Sequence, residues 1–209
     1  MALGLFEPAE SRLMRKLLGP QDTFIDVGAH IGWYTTLAAR CVGDDGLVIA
    51  CEPYPPNVAT LKDNLLLNGT KNVRLVEMAL GSGNGVLSLS YDSDSGATTA
   101  LDWGPSKRIE IPMTTLDEVA AEVMAVTLLK MDVEGWEAQI LRGASATLER
   151  TKHVLIEINK PLLKKAGSSP EELYGLMRNS GFKTFVPVVQ NGLRRLLSTD
   201  DLVNILASK

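Results

Sequence analysis

Short apolar runs alternate along the chain with longer stretches whose apolar positions recur every three or four residues. TFIDV (23–27), LVIACE (47–52), VRLVEMAL (73–80), VTLLKMDV (126–133) and HVLIEI (153–158) have strand length and β-branched character. Near-continuous hydrophobicity of this kind belongs to strands covered on both faces. Between them lie helical patterns at YTTLAARCV (34–42), PPNVATLKDNLLLNG (55–69) and WEAQILRGASATLER (136–150). The second carries Pro at its start and Asn-Gly at its end, as a helix should. A further helix is opened by Ser169, Pro170 and Glu172 and stops at NSGF (179–182). Strands alternating with helices imply an α/β fold: a doubly wound, Rossmann-like, mostly parallel sheet.

The pattern changes over residues 81–115. GSGNG is a turn cluster, while VLSLSY and RIEIPMTT alternate strictly and flank a polar stretch. This reads as a small two-stranded β insertion after strand three. Thr115 and Glu118 then form a capping pattern for the helix TLDEVAAEV. TFVPVVQNGLRRLL reads as an antiparallel C-terminal hairpin turning at Asn191-Gly192. Residues 1–21 are expected to form an N-terminal helix, and the absence of repeats or linkers favours one domain over 1–209.

Composition narrows the function classes. The formal net charge is -4, with 45% hydrophobic and 22% charged residues, so nonspecific nucleic-acid or anionic-membrane binding is not expected. Cys41 and Cys51 make no disulfide framework and read as reduced thiols. No signal-like segment and no run of membrane-span length is present, which points to a soluble, cytoplasmic protein. The Asn68-Gly69-Thr70 sequon is accordingly read as a helix-ending turn.

Candidate chemistry starts in DVGAHIGWYT (26–35), a strand, a glycine turn and a helix start after Asp26. Gly28 allows the sharp turn, and Gly32 allows a ligand to approach the helix N-terminus. The spacing is G-x-x-x-G with His30 between, not the G-x-G-x-x-G of dinucleotide binders, so a carboxylate fits better than a pyrophosphate. Glu52, 20 residues beyond Gly32 and followed by Pro53, is placed to accept both hydroxyls of a ribose. Met78 and Ala79, at the end of strand three, offer an apolar wall for an adenine. Ribose, adenine and a carboxylate without a diphosphate describe S-adenosylmethionine better than NAD.

The second constellation is KMDVEGWE (130–137). Lys130, Asp132 and Glu134 share one side of an extended strand, while Met131 and Val133 point the other way. Catalytic base, metal ligand and ion-pair network with Lys130 are the alternatives for the two acids, and Glu157 at the end of strand five can join any of them. Substrate and base positioning is favoured, with no metal assigned, because no dedicated metal loop is present. Glu137 falls in the first turn of the next helix, where the helix dipole favours an acid without a functional role. His153, at a strand start, reads as a packing or surface residue. Trp33 and Trp136 read as packing residues, and Trp103 in the insertion as an acceptor-pocket residue.

With IDVGAHIGWYTTLAA, IACEPYPPN, LLLNGTKNVRL, ALGSGNG, TTLDEV and LLKMDVEGWEAQILRGA, the chain resembles the FkbM-type methyltransferases from about residue 22 to 158. The resemblance implies a class I methyltransferase sheet, S-adenosyl-L-methionine as cofactor, and O-methylation of a small polar metabolite or saccharide. It carries Asp26, Gly28, Gly32, Glu52 and Ala79 to the cofactor, and Lys130, Asp132, Glu134, Gly135 and Glu137 to the second motif. His30 stands where the family often has Asn, which implies a geometric or polar-contact role. Roughly 20 residues precede the first strand, fewer than in many members. A cap over the site is therefore expected from residues 81–115, the C-terminal region or a second subunit. A nicotinamide-linked oxidoreductase and a non-catalytic cofactor-binding module are the competing classes.

Overall fold

The structure is a computed structural model that describes residues 8–91, 98–101, 107–188 and 201–209. Helix α1 (Pro8–Leu17) precedes strand β1 (Thr23–Val27), α2 (Trp33–Val42), β2 (Leu47–Cys51), α3 (Pro55–Leu67) and β3 (Val73–Val76). A second set follows: β4 (Ala79–Leu80), β5 (Gly85–Tyr91), β6 (Thr98–Thr99), β7 (Lys107–Thr114) and the short α4 (Leu116–Val119). The chain returns through β8 (Val126–Met131), α5 (Glu137–Arg142), α6 (Ser145–Glu149), β9 (Thr151–Asn159), α7 (Lys160–Lys165) and α8 (Pro170–Asn179). It closes with β10 (Thr184–Val188) and β11 (Leu202–Ser208).

The main sheet has the order β10-β11-β9-β8-β1-β2-β3. Its β9-β8-β1-β2-β3 part is parallel, and β11 lies antiparallel between β9 and β10. The expected mostly parallel sheet with an antiparallel C-terminal hairpin is therefore what forms. Side-chain alternation separates two cores. Phe24, Val48 and Leu128 pack with Met14, Tyr34 and Leu37 under α1 and α2. Ile25, Ile49, Leu129 and Met131 pack on the opposite face with Leu141, Leu173 and Met177. The strand order reverses between β1 and β8, whose C-terminal ends thus form the crevice where doubly wound sheets hold ligands.

Several sequence expectations change in detail. The run 73–80 is two strands: β3 ends at Val76, and Ala79–Leu80 crosses to pair with Met113–Thr114 of β7. The insertion is a four-stranded sheet, β4-β7-β5-β6, because that crossing adds one edge and Thr98–Thr99 adds the other. The helix expected over 136–150 is two helices. The backbone at Gly143 passes so near Gly81 that a Cβ there would lie 2.1 Å from the Gly81 carbonyl oxygen. Asp117 then accepts from the amides of Ala146 and Thr147, starting α6 anew. Thr115 caps α4 through the Glu118 amide as the pattern implied, at 3.1 Å, though that helix stops at Val119.

The partner of β10 is Leu202–Ser208, downstream of the expected second hairpin strand. The Asn191-Gly192 turn lies outside the described residues. Among the described residues, no helix is long and apolar enough to cross a membrane. Leu129, fully buried between β8 and the α5–α8 layer, tests this packing. Leu129→Ala is expected to cost about 2–5 kcal/mol in urea unfolding, with the cavity term adding to lost burial.

Candidate active site

The crevice is built by close approach of three strand ends. The Gly28 and Ala29 amides donate to the Cys51 carbonyl at 3.0 and 3.1 Å, and the Asp132 amide donates to the Val27 carbonyl at 3.1 Å. Gly28 has φ +80, and a Cβ on it would stand 2.0 Å from the Asp132 carbonyl oxygen. Only glycine serves here, because both the dihedral and the space exclude a side chain. Gly32 has φ +85 and leaves 3.0 Å to Leu61 of α3. Between them His30 adopts φ +49, a left-handed conformation that Asn and His tolerate better than most residues. Asn64 of α3 completes the turn by donating to the Ile31 carbonyl at 2.8 Å.

Glu52 ends β2 and is buried, with 3% exposure. Its carboxylate accepts from the His30 amide at 2.8 Å, the Tyr54 amide at 3.0 Å and Asn57 Nδ2 at 3.2 Å. Burial raises its pKa, and these three donors act in the opposite direction. Asp26 lies behind the loop instead of in it. Its Oδ2 accepts from the Thr35 hydroxyl at 2.6 Å, and its Oδ1 is buried without a hydrogen-bond partner. Burial likewise raises its pKa, opposed chiefly by the Lys130 ammonium. Asp26 and Lys130 are register partners on β1 and β8, which is why one charge feels the other.

At the end of β8, Lys130 is 6% exposed. Its Nζ is 3.2 Å from Asp132 Oδ2 and 4.7 Å from the centre of the Tyr34 ring. Strand alternation thus brings Lys130 and Asp132 to one side, as expected. Beyond Met131 the chain is no longer extended: Glu134 has φ +53 and Gly135 φ +97. Glu134 nevertheless lines the same cavity, and so does Val133, which strict alternation would have sent to the other face. Asp132, Glu134 and Glu157 each bring a carboxylate oxygen within 4.8 Å of the other two. Oxygens of this type are the donors a hard divalent cation takes. Burial and the neighbouring Asp132 charge both raise the Glu134 pKa.

These groups open on a cavity of about 760 Å³, inside the size range of small-molecule sites. Gly28, His30, Glu52, Pro53, Met78 and Ala79 line one part, and Lys130, Asp132 and Glu134 another. Gly32, Asp26 and Glu157 are not on the wall, Glu157 reaching the site only through the proximity of its carboxylate to those of Asp132 and Glu134. Trp103 lies outside the described residues. Several wall residues were not legible in the sequence: Tyr34, Leu87, Leu89, Thr98 and Thr99. Trp33 and Trp136, read as packing residues, also line the cavity. Trp33 Nε1 donates to Ser11 of α1, and Trp136 Nε1 donates to the Leu80 carbonyl. The one usable signal for Tyr34 and Trp33 was their place in the first turn after the glycine loop.

A family model for the FkbM methyltransferase domain matches residues 26–184. The chain belongs to this family. The hexuronic acid methyltransferase AglP of Haloferax volcanii is 26% identical, over 83% of this chain and 68% of its own. The FkbM methyltransferase structure from Methylobacillus flagellatus aligns with TM-score 0.57 at 15% identity, over 97% of this chain and 51% of that one. Fibrillarin of Aeropyrum pernix, solved with S-adenosyl-L-methionine bound, aligns with TM-score 0.54 at 13% identity, over 95% of this chain and 73% of that one. The chain spans 59–74% of the length of the curated relatives it matches.

The fold is that of class I S-adenosylmethionine-dependent methyltransferases, and the cavity of this FkbM protein fits that cofactor. Glu52 presents a buried carboxylate to it, and Met78, Ala79, Leu87 and Leu89 offer apolar wall. The glycine turn leaves no side chain at Gly28 or Gly32 to obstruct the start of α2.

Glu137 is the remaining acid of the motif, 1% exposed in the first turn of α5. Its Oε1 accepts from the Gly135 amide at 3.1 Å and the Val133 amide at 3.4 Å, while Oε2 is buried without a hydrogen-bond partner. Burial pushes its pKa from an ordinary 4.5 to about 7. The folded state therefore holds this proton more tightly than the unfolded chain does. The associated stability is complete below pH 4.5 and is lost as pH rises through about 7. Glu137→Gln is expected to flatten that part of the stability–pH curve, measured by denaturant unfolding from pH 4 to pH 8.

Proposed function

We propose that this protein is an O-methyltransferase that moves a methyl group from S-adenosyl-L-methionine to a hydroxyl of a small polar metabolite or saccharide. One observation carries the reading: the ion pair of buried Lys130 with half-buried Asp132 opens, with Glu134, on the same cavity as the strand-end acid Glu52. When bound, the cofactor supplies an electrophilic methyl on a sulfonium. The chain must align an acceptor oxygen and remove its proton. Asp132 takes that proton, Lys130 holds the Asp132 carboxylate in place by an ion pair at 3.2 Å, and Glu134 orients the hydroxyl. A carboxylate acceptor would arrive already deprotonated. An acid cluster beside the acceptor position therefore favours a substrate whose proton has to be taken away.

On this reading Glu52 accepts the ribose hydroxyls, with Pro53, Met78 and Ala79 as its neighbouring wall, and Gly28, His30 and Gly32 shape the cofactor loop. Asp26 acts from behind, holding Thr35 and the start of α2. Glu157 approaches the acceptor side next to Asp132 and Glu134. The net charge of -4 supports an enzyme without nonspecific nucleic-acid binding. A second copy of the chain is a candidate cap over the acceptor side. Family membership displaces the nicotinamide-linked alternative.

Glu52→Ala is expected to weaken S-adenosylhomocysteine binding by about 1.5–3 kcal/mol in calorimetry, the scale of hydrogen bonds to a charged group. Unchanged affinity would remove the ribose role. Turnover is tested with radiolabelled S-adenosylmethionine against a panel of neutral sugars, amino sugars, uronic acids and small alcohols. Asp132→Asn should lower transfer by about 10²–10⁴-fold, the usual yield of a positioned base, at unchanged S-adenosylhomocysteine affinity. Wild-type transfer should persist with EDTA present. A fully active Asn variant would exclude Asp132 as the base, and loss of activity in EDTA would reassign the three carboxylates to a cation.

A further inference from the structure

The carboxylates proposed to act on the acceptor are presented by a strained turn, and the turn is held by residues outside the reacting set. Glu134 sits at φ +53, where a side chain crowds its own backbone, and Gly135 follows at φ +97. Position 135 admits no side chain, because a Cβ there would lie 2.9 Å from Leu162 backbone and side-chain atoms of α7. Two contacts meet at this turn. Glu137 Oε1 accepts from the amides of Val133 and Gly135, the residues on either side of Glu134. From the insertion sheet, the Thr99 hydroxyl donates to the Glu134 carbonyl at 3.0 Å and accepts from the Leu101 amide at 3.1 Å. Both side chains are 1% exposed, so water does not compete for these contacts.

We propose that Glu137 and Thr99 are positioning residues for methyl transfer: together they hold Glu134 in its left-handed conformation and so fix where the Asp132 and Glu134 carboxylates stand in the cavity. This assigns Glu137 more than the helix-dipole role its sequence position implies. It also makes the insertion part of the catalytic apparatus through one hydroxyl, apart from whatever wall it provides. Each contact acts on a different backbone group of the same turn. Losing either frees Glu134 to relax toward an ordinary negative φ, which would re-aim its side chain.

The test uses the full chain saturated with S-adenosylhomocysteine and labelled for NMR, together with the transfer panel above. Glu137→Leu removes the acceptor at similar bulk, Glu137→Gln keeps one oxygen for the two amides, and Thr99→Val removes the hydroxyl at the same shape. In Glu137→Leu the Val133 and Gly135 amide protons should move upfield, and the Glu134 Cα resonance should leave its left-handed position. Its kcat should fall by about 10²-fold, the scale of an ångström-sized misplacement, with acceptor KM and S-adenosylhomocysteine affinity little changed. Glu137→Gln should recover most of that loss. Thr99→Val should lower kcat in the same pattern, and the double variant should lose less than the product of the two singles, since both act on one residue.

An unmoved Gly135 amide in Glu137→Leu would overturn the proposal. So would cofactor affinity falling in step with kcat, or a Gln variant as impaired as the Leu variant. If Glu137→Leu does not fold, Glu137→Gln and Thr99→Val decide on the same criteria. The kinetic arm rests on the methyl-transfer reading. Wild-type protein that binds S-adenosylhomocysteine but methylates no member of the panel counts against that reading, and the resonances then decide the clamp alone.

Discussion

The site depends on one close approach, the Asp132 carbonyl lying where a Cβ at position 28 would stand, at 2.0 Å. It closes the end of β1 against the end of β8 at the point where the strand order reverses. Any side chain at 28 would push these ends apart and break the Asp132 amide to Val27 carbonyl bond. The Gly28 and Ala29 amides bond to Cys51 on the other side, so the same turn also fixes the end of β2. Glu52, Gly28 and Asp132 thus occupy three adjacent strand ends whose spacing is set by backbone contact rather than by side-chain packing. Backbone contact leaves little slack, and a site that must align three atoms in line needs that rigidity.

The second constraint is charge in a poorly solvated place. Asp26, Glu52, Glu134 and Glu137 all have raised pKa values, and burial is the largest cause in each. An unpaired carboxylate away from water costs several kcal/mol, while each hydrogen bond to a charged group returns about 1.5–3 kcal/mol. Glu52 collects three such donors, yet burial still exceeds their effect. Its alignment with the His30 amide is thus retained although burial disfavours the charged form. Asp26 has Thr35 and a neighbouring ammonium. Lys130 serves two acids at once, and Tyr34 faces its charge with an aromatic ring instead of a competing carboxylate.

The sheet and the cofactor side were legible because their signals are local. Continuous apolar runs identify doubly covered strands, and glycines at 28 and 32 mark turns that need positive φ. Glu52 was legible from its spacing to that loop. Lys130 and Asp132 were legible from strand parity. The rest depends on contacts between residues far apart in the chain. Nothing near Gly143 announces that the Gly81 carbonyl will press against it and divide a helix. Ala79–Leu80 looks like the end of strand three, and only pairing with Met113–Thr114 makes it a strand of another sheet. The role of Thr99 requires knowing that Glu134, 35 residues later, turns its carbonyl toward it. Glu137 was readable as a helix-start acid, but the two amides it accepts are exposed by a turn that alternation did not foresee.

That crossing strand also explains how an insertion becomes part of the site. By leaving the main sheet after Val76, the chain carries β4 and the second sheet across the C-terminal end of β2, where Tyr54 packs on Tyr91 at 5.0 Å between ring centres. Tyr54, Ala79, Leu89 and Ile111 make a small core of their own that joins the two sheets. Trp136 reinforces the junction from the β8 side through the Leu80 carbonyl. The cavity therefore has a floor of strand ends and loop backbone, and a wall supplied by β5 and β6. The floor is tightly specified, since glycine at 28 and an acid at 52 answer to backbone geometry and buried hydrogen bonds. The insertion wall answers mainly to apolar packing, which tolerates exchange of similar side chains.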